Sequence, residues 1–267
     1  MENWLINESS TVRLGIFVSL FLGLSTWEFL KPDHSSGIPR SKRWFSNISL
    51  VILNTMLVRL LFPMSAILFS DYVVEMKWGV LQIYSTPHLY SIILGVIILD
   101  FVIYLQHVMF HAIPGLWKLH RMHHADLELD VTSGTRFHPI EILISMGIKF
   151  AAILLFGVSP ISVLLFEVIL NGMAMFNHSN IYIPEKIDAF LKVILVTPSM
   201  HRIHHSIQVN EYNSNYGFNL SIWDRLLGTF KNQFKNKLIL GLPGFRDLKY
   251  SKLGYMMAIP FIEERDN

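Results

Sequence analysis

Long apolar runs separated by short polar segments dominate the chain. Three runs, at residues 11–30, 48–70 and 87–105, contain the roughly 20 mainly apolar residues that a helix needs to cross a bilayer. A fourth apolar block, 141–177, is broken by Gly-Val-Ser-Pro at 157–160, which indicates a helical hairpin that enters and leaves the membrane at one face. The pattern therefore predicts an all-α, polytopic membrane helical bundle.

The charges in the connecting segments orient these helices. Four lysines and arginines crowd residues 31–43, whereas residues 1–10 contain none and 71–86 contain one. Because short cytosolic loops carry an excess of Lys and Arg, the first loop is predicted to be cytosolic and the N-terminus external. Following the spans, residues 116–139 and the chain after His178 are cytosolic too. We therefore expect a cytosolic, histidine-rich helical cap on the membrane bundle.

The composition supports a membrane protein and narrows its chemistry. Of the 267 residues, 52% are hydrophobic and 16% charged, whereas soluble domains approach a quarter charged. The chain has no cysteine, so disulfides and thiolate-bound iron or zinc are excluded, and any metal must bind nitrogen or oxygen. A net charge of +2 without a basic, aromatic-rich stripe argues against nucleic acid.

Eight of the 12 histidines form three clusters, and their spacing indicates metal binding. The first cluster is a pair one helical turn apart, so both rings share a helix face. The other two are His-x-x-His-His triples, whose rings span an arc of about 100° on a helix and can converge on one site. Packing alone explains two such triples poorly, because cores rarely hold unpaired imidazoles. The clusters are His107 and His111; His120, His123 and His124; and His201, His204 and His205.

Three further residues extend the candidate site. Asp100 and Tyr104 continue the helix face of the first pair. An acid within a membrane helix is costly, so its presence beside the histidines indicates a function. We therefore predict a catalytic role for both residues. His178 shares a helical stripe with Glu167 and Asn171, as His107 does with Asp100, and is the expected ninth ligand.

Two features of the hairpin block complete the set of candidates. Two roles are open for His138: it binds metal, or it supports the ligands together with Arg136 and Glu141. We therefore leave it out of the predicted ligand set. Lys149 and Glu167 lie at comparable depth on the two arms of the hairpin. We predict that they form a buried pair, because an unpaired charge there is costly.

Nine histidines are more than one six-coordinate ion can use, whereas two ions can share them and keep positions open for O₂. Neutral imidazole suits iron, zinc and copper. Catalytic zinc usually has three protein ligands and a base such as glutamate, but His-Glu-x-x-His is absent and the clusters contain no carboxylate. An all-nitrogen site beside the bilayer therefore favours iron and O₂ chemistry on an apolar substrate.

Several motifs between Asp100 and Phe230 together resemble the fatty acid hydroxylase / sterol desaturase superfamily of membrane di-iron enzymes, and bacterial sterol-desaturase-like members in particular. They are Leu-Trp-x-Leu-His-Arg-x-His-His at 116–124, Phe-Asn-His at 176–178, His-Arg-x-His-His at 201–205, Asn-x-Asn-Tyr-Gly at 213–217 and Trp-Asp-x-Leu-x-Gly-Thr at 223–229.

The resemblance implies that two irons use O₂ to hydroxylate or desaturate a lipid. The histidines of the three clusters would bind these irons, and His178 matches a histidine that is common in the family between the second and third clusters. Fatty acyl chains, sterols and ether lipids are all candidate substrates. No cytochrome b5-like segment precedes the core, so electrons are expected from a separate ferredoxin or cytochrome b5-type donor with its reductase. We divide the chain into N-terminal transmembrane helices (1–106), a histidine-cluster domain that includes the hairpin (100–235) and a C-terminal cytosolic tail (236–267).

Two functions of other classes stay open. A histidine-rich membrane metal transporter needs ionisable groups along a path through the bilayer, whereas here only Asp100, Lys149 and Glu167 lie deep. A zinc metallohydrolase would act without O₂ or a reductant. Residues 263–267 do not match an ER-retrieval signal, which favours a bacterial inner membrane with the clusters facing the cytosol.

Overall fold

The computed structural model describes residues 2–84, 87–234 and 238–263. This part of the chain is helical without β-strands, which confirms the predicted all-α class. The prediction that the chain lacks an ER-retrieval signal used residues 263–267, and 264–267 lie outside the described residues. Residues 236 and 237 of the predicted tail also lie outside them. The α-helices are α1 Glu2–Asn7, α2 Ser9–Leu30, α3 Arg40–Leu61, α4 Ala66–Glu75, α5 Val80–Ile83, α6 His88–Ala112, α7 Pro114–His124, α8 Pro139–Phe156, α9 Pro160–His178, α10 Glu185–Leu191, α11 Pro198–His204, α12 Val209–Tyr212, α13 Ile222–Leu226 and α14 Leu253–Ala258.

Five helical segments among the described residues are long and apolar enough to cross a membrane, so the chain is a multi-pass membrane protein. They correspond to the three predicted runs and the two arms of the predicted hairpin. The second segment comprises α3, α4 and α5. The segments are Ser9–Leu30, Arg40–Ile83, His88–Ala112, Pro139–Phe156 and Pro160–His178.

The second apolar run is not one helix, although a single helix was predicted over 48–70. α3 ends before Pro63, which cannot donate a backbone hydrogen bond, and α4 begins after Ser65. The Ser65 hydroxyl caps α4 by accepting the Leu68 N–H at 3.2 Å. α3 also begins earlier than predicted, at Arg40, so the basic residues at the end of the first loop form its opening turn.

The third membrane helix is longer than predicted and carries the first histidine pair. The apolar run ends at residue 105, but α6 continues to Ala112 and stops before Pro114. His107 and His111 therefore lie in the last turns of this membrane helix, which agrees with the helix face predicted for them.

The predicted hairpin is formed by α8 and α9. α8 ends at Gly157 with a φ of 67°, a left-handed conformation that favours glycine, and Ser159 caps α9. The predicted pair is confirmed, because Lys149 Nζ lies 2.7 Å from Glu167 Oε1. Arg13 of α2 lies 2.8 Å from the other Glu167 oxygen. These ion pairs connect both arms of the hairpin to the first membrane helix.

Two apolar cores hold the helices together. One lies between α4, α6, α8 and α9, where Ile153 and Phe166 are fully buried. The other joins α3 and α7 to the C-terminal segment through Leu50, Met122 and Phe245. The described part of the predicted tail thus packs directly against helices of the histidine-bearing layer.

A buried ionic cluster attaches α3 to the loop that follows α7. The Arg43 guanidinium pairs with Asp130 and lies 3.6 Å from Asp126, and these side chains are 1% exposed. Arg136, also buried, donates to the Met122 carbonyl at 2.9 Å and lies 3.8 Å from Asp126. Removing one member of such a cluster leaves a buried charge without compensation, which is strongly destabilising.

We expect Arg43→Met to lower the stability of the folded protein by about 3 kcal/mol, because Asp126 and Asp130 lose their shared cation. The measurement is the midpoint of thermal unfolding in detergent, followed by fluorescence-detected size exclusion. Lys42→Met is the matched control, since Lys42 is exposed on the preceding position of the same helix. Equal midpoints for both variants would contradict a stabilising role for the cluster.

Candidate metal centre

The nine predicted histidine ligands lie together in two groups among the described residues. Within each group, one ring nitrogen of every member lies within 4.8 Å of the others. Eight of the rings are buried and His111 is half-buried. The first group contains His107, His111, His120, His124 and His204, and the second contains His123, His178, His201 and His205.

The two triples do not each converge on one site, as the sequence suggested; each is shared between the groups. His120 and His124 of α7 enter the five-histidine group, whereas His123 enters the four-histidine group. The third cluster does the reverse, since only its middle residue, His204, belongs to the five-histidine group. The physical reason is helical geometry, because residues four apart share a face while the residue between them points about 60° away from one and about 100° away from the other.

The five-histidine group has ring nitrogens that face one another at short distance. His107 Nδ1 donates to the Tyr216 carbonyl at 2.7 Å, so its Nε2 carries a lone pair, and His120 Nδ1 lies 2.7 Å from a Glu141 carboxyl oxygen. With both Nδ1 atoms engaged by outer partners, the two Nε2 atoms lie 3.1 Å apart. His204 repeats the pattern, since its Nδ1 donates to the Ser214 carbonyl at 2.7 Å.

The four-histidine group converges on the His178 ring. His178 Nδ1 donates to the Ala174 carbonyl at 2.7 Å, so its Nε2 carries a lone pair. That atom lies 3.0 Å from the Nε2 atoms of His123 and His201 and 3.2 Å from that of His205. Gly134 permits this arrangement, because a Cβ there would lie 2.3 Å from the Ala174 carbonyl oxygen.

Both groups fit a metal ion. Nitrogens about 3.0 Å apart match adjacent positions around an ion with metal–nitrogen bonds of about 2.1 Å. The buried Nε2 atoms of His111, His124 and His204 lack a hydrogen-bond partner among the described residues, as metal-binding atoms must. Outer-nitrogen bonds to carbonyl and carboxylate groups, as on His107 and His120, are usual for metal-ligating histidines.

Burial keeps the rings of the two histidine triples neutral. It lowers the pKa of His120 to about 3, because the charged imidazolium is desolvated. Burial first, and neighbouring imidazoles second, also hold the pKa of the remaining triple histidines well below its ordinary value. Neutral imidazole is the form that binds a metal.

The segment that follows α12 orients the ligands of the five-histidine group. The buried Asp224 carboxylate accepts the backbone N–H groups of Tyr216 and Gly217 at 2.7 and 2.8 Å, which fixes the carbonyl that His107 uses. Asn213 Oδ1 lies 3.2 Å from His111 Nδ1. The sequence marked this segment only by its family motif, without giving these residues a role.

Asp100 and Tyr104 lie outside both histidine groups. Asp100 Oδ2 accepts the indole N–H of Trp223 at 2.7 Å, and the Tyr104 hydroxyl lies 2.9 Å from that of Thr229. These contacts attach α6 to the segment that orients His107. The catalytic role of both residues stays a prediction.

His138 belongs to neither group. Its Nδ1 accepts the Ile140 N–H at 3.2 Å and so caps α8. Of the two residues considered with it, Arg136 bonds to the Met122 and Tyr250 carbonyls, and Glu141 bonds to His120. Glu141, rather than His138, is therefore the residue of this block that contacts a ring of the five-histidine group.

A cavity of about 540 Å³ leads from the five-histidine group into the membrane-spanning helices. His107, His120 and Glu141 line it at one end, and its walls are formed by α2, α3, α6, α8 and α9. Apolar side chains such as Val58 and Leu170 form much of the wall. This volume lies within the range of small-molecule sites, so the cavity can hold part of a lipid chain beside the histidines.

The fold and the site together define a multi-pass helical membrane protein with two histidine groups, one of which meets a cavity within the membrane helices. The model of the fatty acid hydroxylase family matches residues 92–229, about half of the chain. The chain belongs to the fatty acid hydroxylase family. No solved structure matches it.

Curated relatives carry the same region. Ornithine lipid hydroxylase OlsE of Rhizobium tropici is 35% identical over 147 residues, which are 55% of this chain and 43% of the relative. Alkylglycerol monooxygenase of Homo sapiens is 33% identical over 156 residues, 57% of this chain and 32% of the relative. Delta(7)-sterol 5(6)-desaturase of Eremothecium gossypii is 25% identical over 175 residues, 60% of this chain and 47% of the relative. The matched region thus spans less than half the length of each relative.

Loss of the Asp224 carboxylate should weaken metal binding although every histidine of the two groups stays unchanged. We expect Asp224→Ala to lower metal affinity about 10- to 100-fold, because the Tyr216 carbonyl no longer orients His107. The measurement is the metal retained per chain after passage through a chelating buffer. Asp247→Ala, at an exposed position, is the control. Full metal retention in folded Asp224→Ala protein would show that this support is dispensable.

Proposed function

We propose that this protein is a membrane di-iron oxidoreductase that uses O₂ to hydroxylate or desaturate a lipid. One observation carries the proposal: nine histidines form two all-nitrogen groups, and one group meets a cavity within the membrane helices. Nitrogen ligands suit iron, and a buried cavity suits an apolar chain.

The five-histidine and four-histidine groups would each hold one iron, and the bound irons supply O₂ activation. The chain's own residues prepare the site. Burial keeps the imidazoles neutral, and the outer-nitrogen hydrogen bonds fix the proton of each anchored ring away from the metal. The Glu141 carboxyl group lies against His120 Nδ1.

Aromatic side chains exclude water from the histidine groups. Phe137 stacks on His123 with ring centroids 4.4 Å apart, and the Phe218 ring lies 5.0 Å from that of His107. Because Phe137 and Phe218 also line the cavity, a bound chain contacts an apolar surface up to the histidines. A C–H bond of the lipid is thereby oriented towards His107 and His120.

The substrate class follows from the cavity and from the relatives. Their names refer to an ornithine lipid, an alkylglycerol and a sterol, which share a large apolar body. We therefore assign a lipid substrate and leave the choice between alcohol and alkene products to experiment. A ferredoxin or a cytochrome b5-type protein with its reductase would supply the electrons. The charge of the loops favours a cytosolic position for the histidine groups, and we propose a bacterial inner membrane as the location of the protein.

Metal analysis tests the metal assignment. We expect detergent-purified protein to contain two irons per chain, and His204→Ala and His201→Ala each to reduce the number to one or fewer, because they remove a ligand from different groups. His34→Ala is the control, since His34 lies outside both groups. Zinc alone in protein made with ample iron, or no bound metal, would overturn the iron assignment in favour of hydrolysis or transport.

Filling the cavity tests the lipid assignment separately. We expect Val58→Trp to reduce lipid oxidation at least about tenfold with the iron content unchanged, because the indole occupies space beside the bound chain. The assay measures oxygen incorporation from isotopically labelled O₂, or hydrogen loss, in bacterial lipids supplied with a reductant. Leu60→Trp, on an exposed position of the same helix, is the control. Wild-type protein that holds two irons but oxidises no lipid would contradict the proposed function.

A further inference from the structure

The cavity has a charged end far from the histidines. Arg13 of α2, Arg59 of α3 and Lys149 of α8 all line it, and Glu167 of α9 is the carboxylate that faces them. The other acid in the cavity wall, Glu141, lies at the opposite end against His120. The far end, called here the cationic end, therefore carries more positive than negative charge.

The internal ion pairs do not neutralise this charge. Each oxygen of Glu167 already has one cation, Lys149 at 2.7 Å and Arg13 at 2.8 Å. The Arg13 guanidinium has more donors than this one contact uses. Arg59 is exposed and has no hydrogen-bond or ion-pair partner among the described residues. Uncompensated cations within a membrane layer are costly and mark sites for anionic partners.

Helix geometry gives the distance between the two ends. Glu141, which bonds to His120, and Lys149, which belongs to the cationic end, both lie on α8. Eight residues of helix separate them, or about 12 Å along its axis. The wall between the ends contains apolar residues such as Val58 and Ile142.

We propose that the cationic end binds the anionic group of the lipid, a carboxylate or a phosphate, while the apolar chain extends to His107 and His120. Arg59 is the principal recognition residue, and Arg13 contributes its remaining donors. Arginine suits both anions, because its planar fork can bind two of their oxygens. This assignment rests on the proposed function and adds to it: the carbon that faces the histidines lies well along the chain from the anionic group.

Equilibrium binding of three labelled probes to the iron-loaded protein in neutral detergent tests this. The probes are palmitate, dipalmitoyl phosphatidate and hexadecanol. We expect at least one anionic probe to bind about tenfold more tightly than hexadecanol. Arg59→Gln should remove that preference and leave hexadecanol binding unchanged, because no internal contact of Arg59 is lost. Arg59→Lys should keep most of it, and Lys186→Gln, far from the cavity, should match the wild type.

The outcomes separate the possible ligands. Preference for palmitate assigns a carboxylate, and preference for phosphatidate assigns a phosphate. Equal binding of all three probes, or a preference that survives Arg59→Gln, would overturn the anion site and leave lipid oxidation standing. Failure of every probe to bind would overturn it too, and the cavity-filling assay with labelled O₂ then decides the proposed function independently.

Discussion

The close packing of buried imidazole nitrogens determines what the surrounding structure must do. The Nε2 atoms of His107 and His120 lie 3.1 Å apart, while the Nδ1 atom of each ring is held by an outer partner. Both rings are buried, so the inner nitrogens depend on partners within the protein. A metal ion between these nitrogens would bind both of them. The same logic applies to His178, whose single lone pair faces three ring nitrogens.

Holding the rings in this arrangement requires support from distant parts of the chain. The acceptors of the outer nitrogens are the carbonyls of Ala174, Ser214 and Tyr216 and the carboxylate of Glu141. Three of these acceptors are themselves fixed: Ala174 by the regular backbone of α9, Tyr216 by Asp224 and Glu141 by its position at the start of α8. The membrane helices therefore do more than anchor the site, because α9 supplies both an acceptor and His178, while α8 supplies the Glu141 acceptor.

Much of this could be predicted from the sequence, because the relevant patterns are local. Apolar runs gave the membrane helices, and His-x-x-His-His spacing gave the ligand candidates. The division of each triple between two groups depends on how α7 and α11 face each other, which no single helix encodes. Carbonyl acceptors were missed for a related reason, since a backbone carbonyl leaves no mark in residue identity. Asp224 carried only a family motif, and its role became visible once Tyr216 and His107 were located.

The break between α3 and α4 was missed because Pro63 lies within an otherwise continuous apolar run, and the consequence of that break reaches the cavity. Pro63 and Ser65 line its far end, beside the turn of α3 that carries Arg59. The polar positions that interrupt the apolar pattern, Arg13 and Arg59 among them, thus mark one end of the space, and the histidines mark the other. Between these ends the wall is mixed, because apolar side chains such as Val58 and Leu170 stand beside the polar side chains of Asn54 and Gln106.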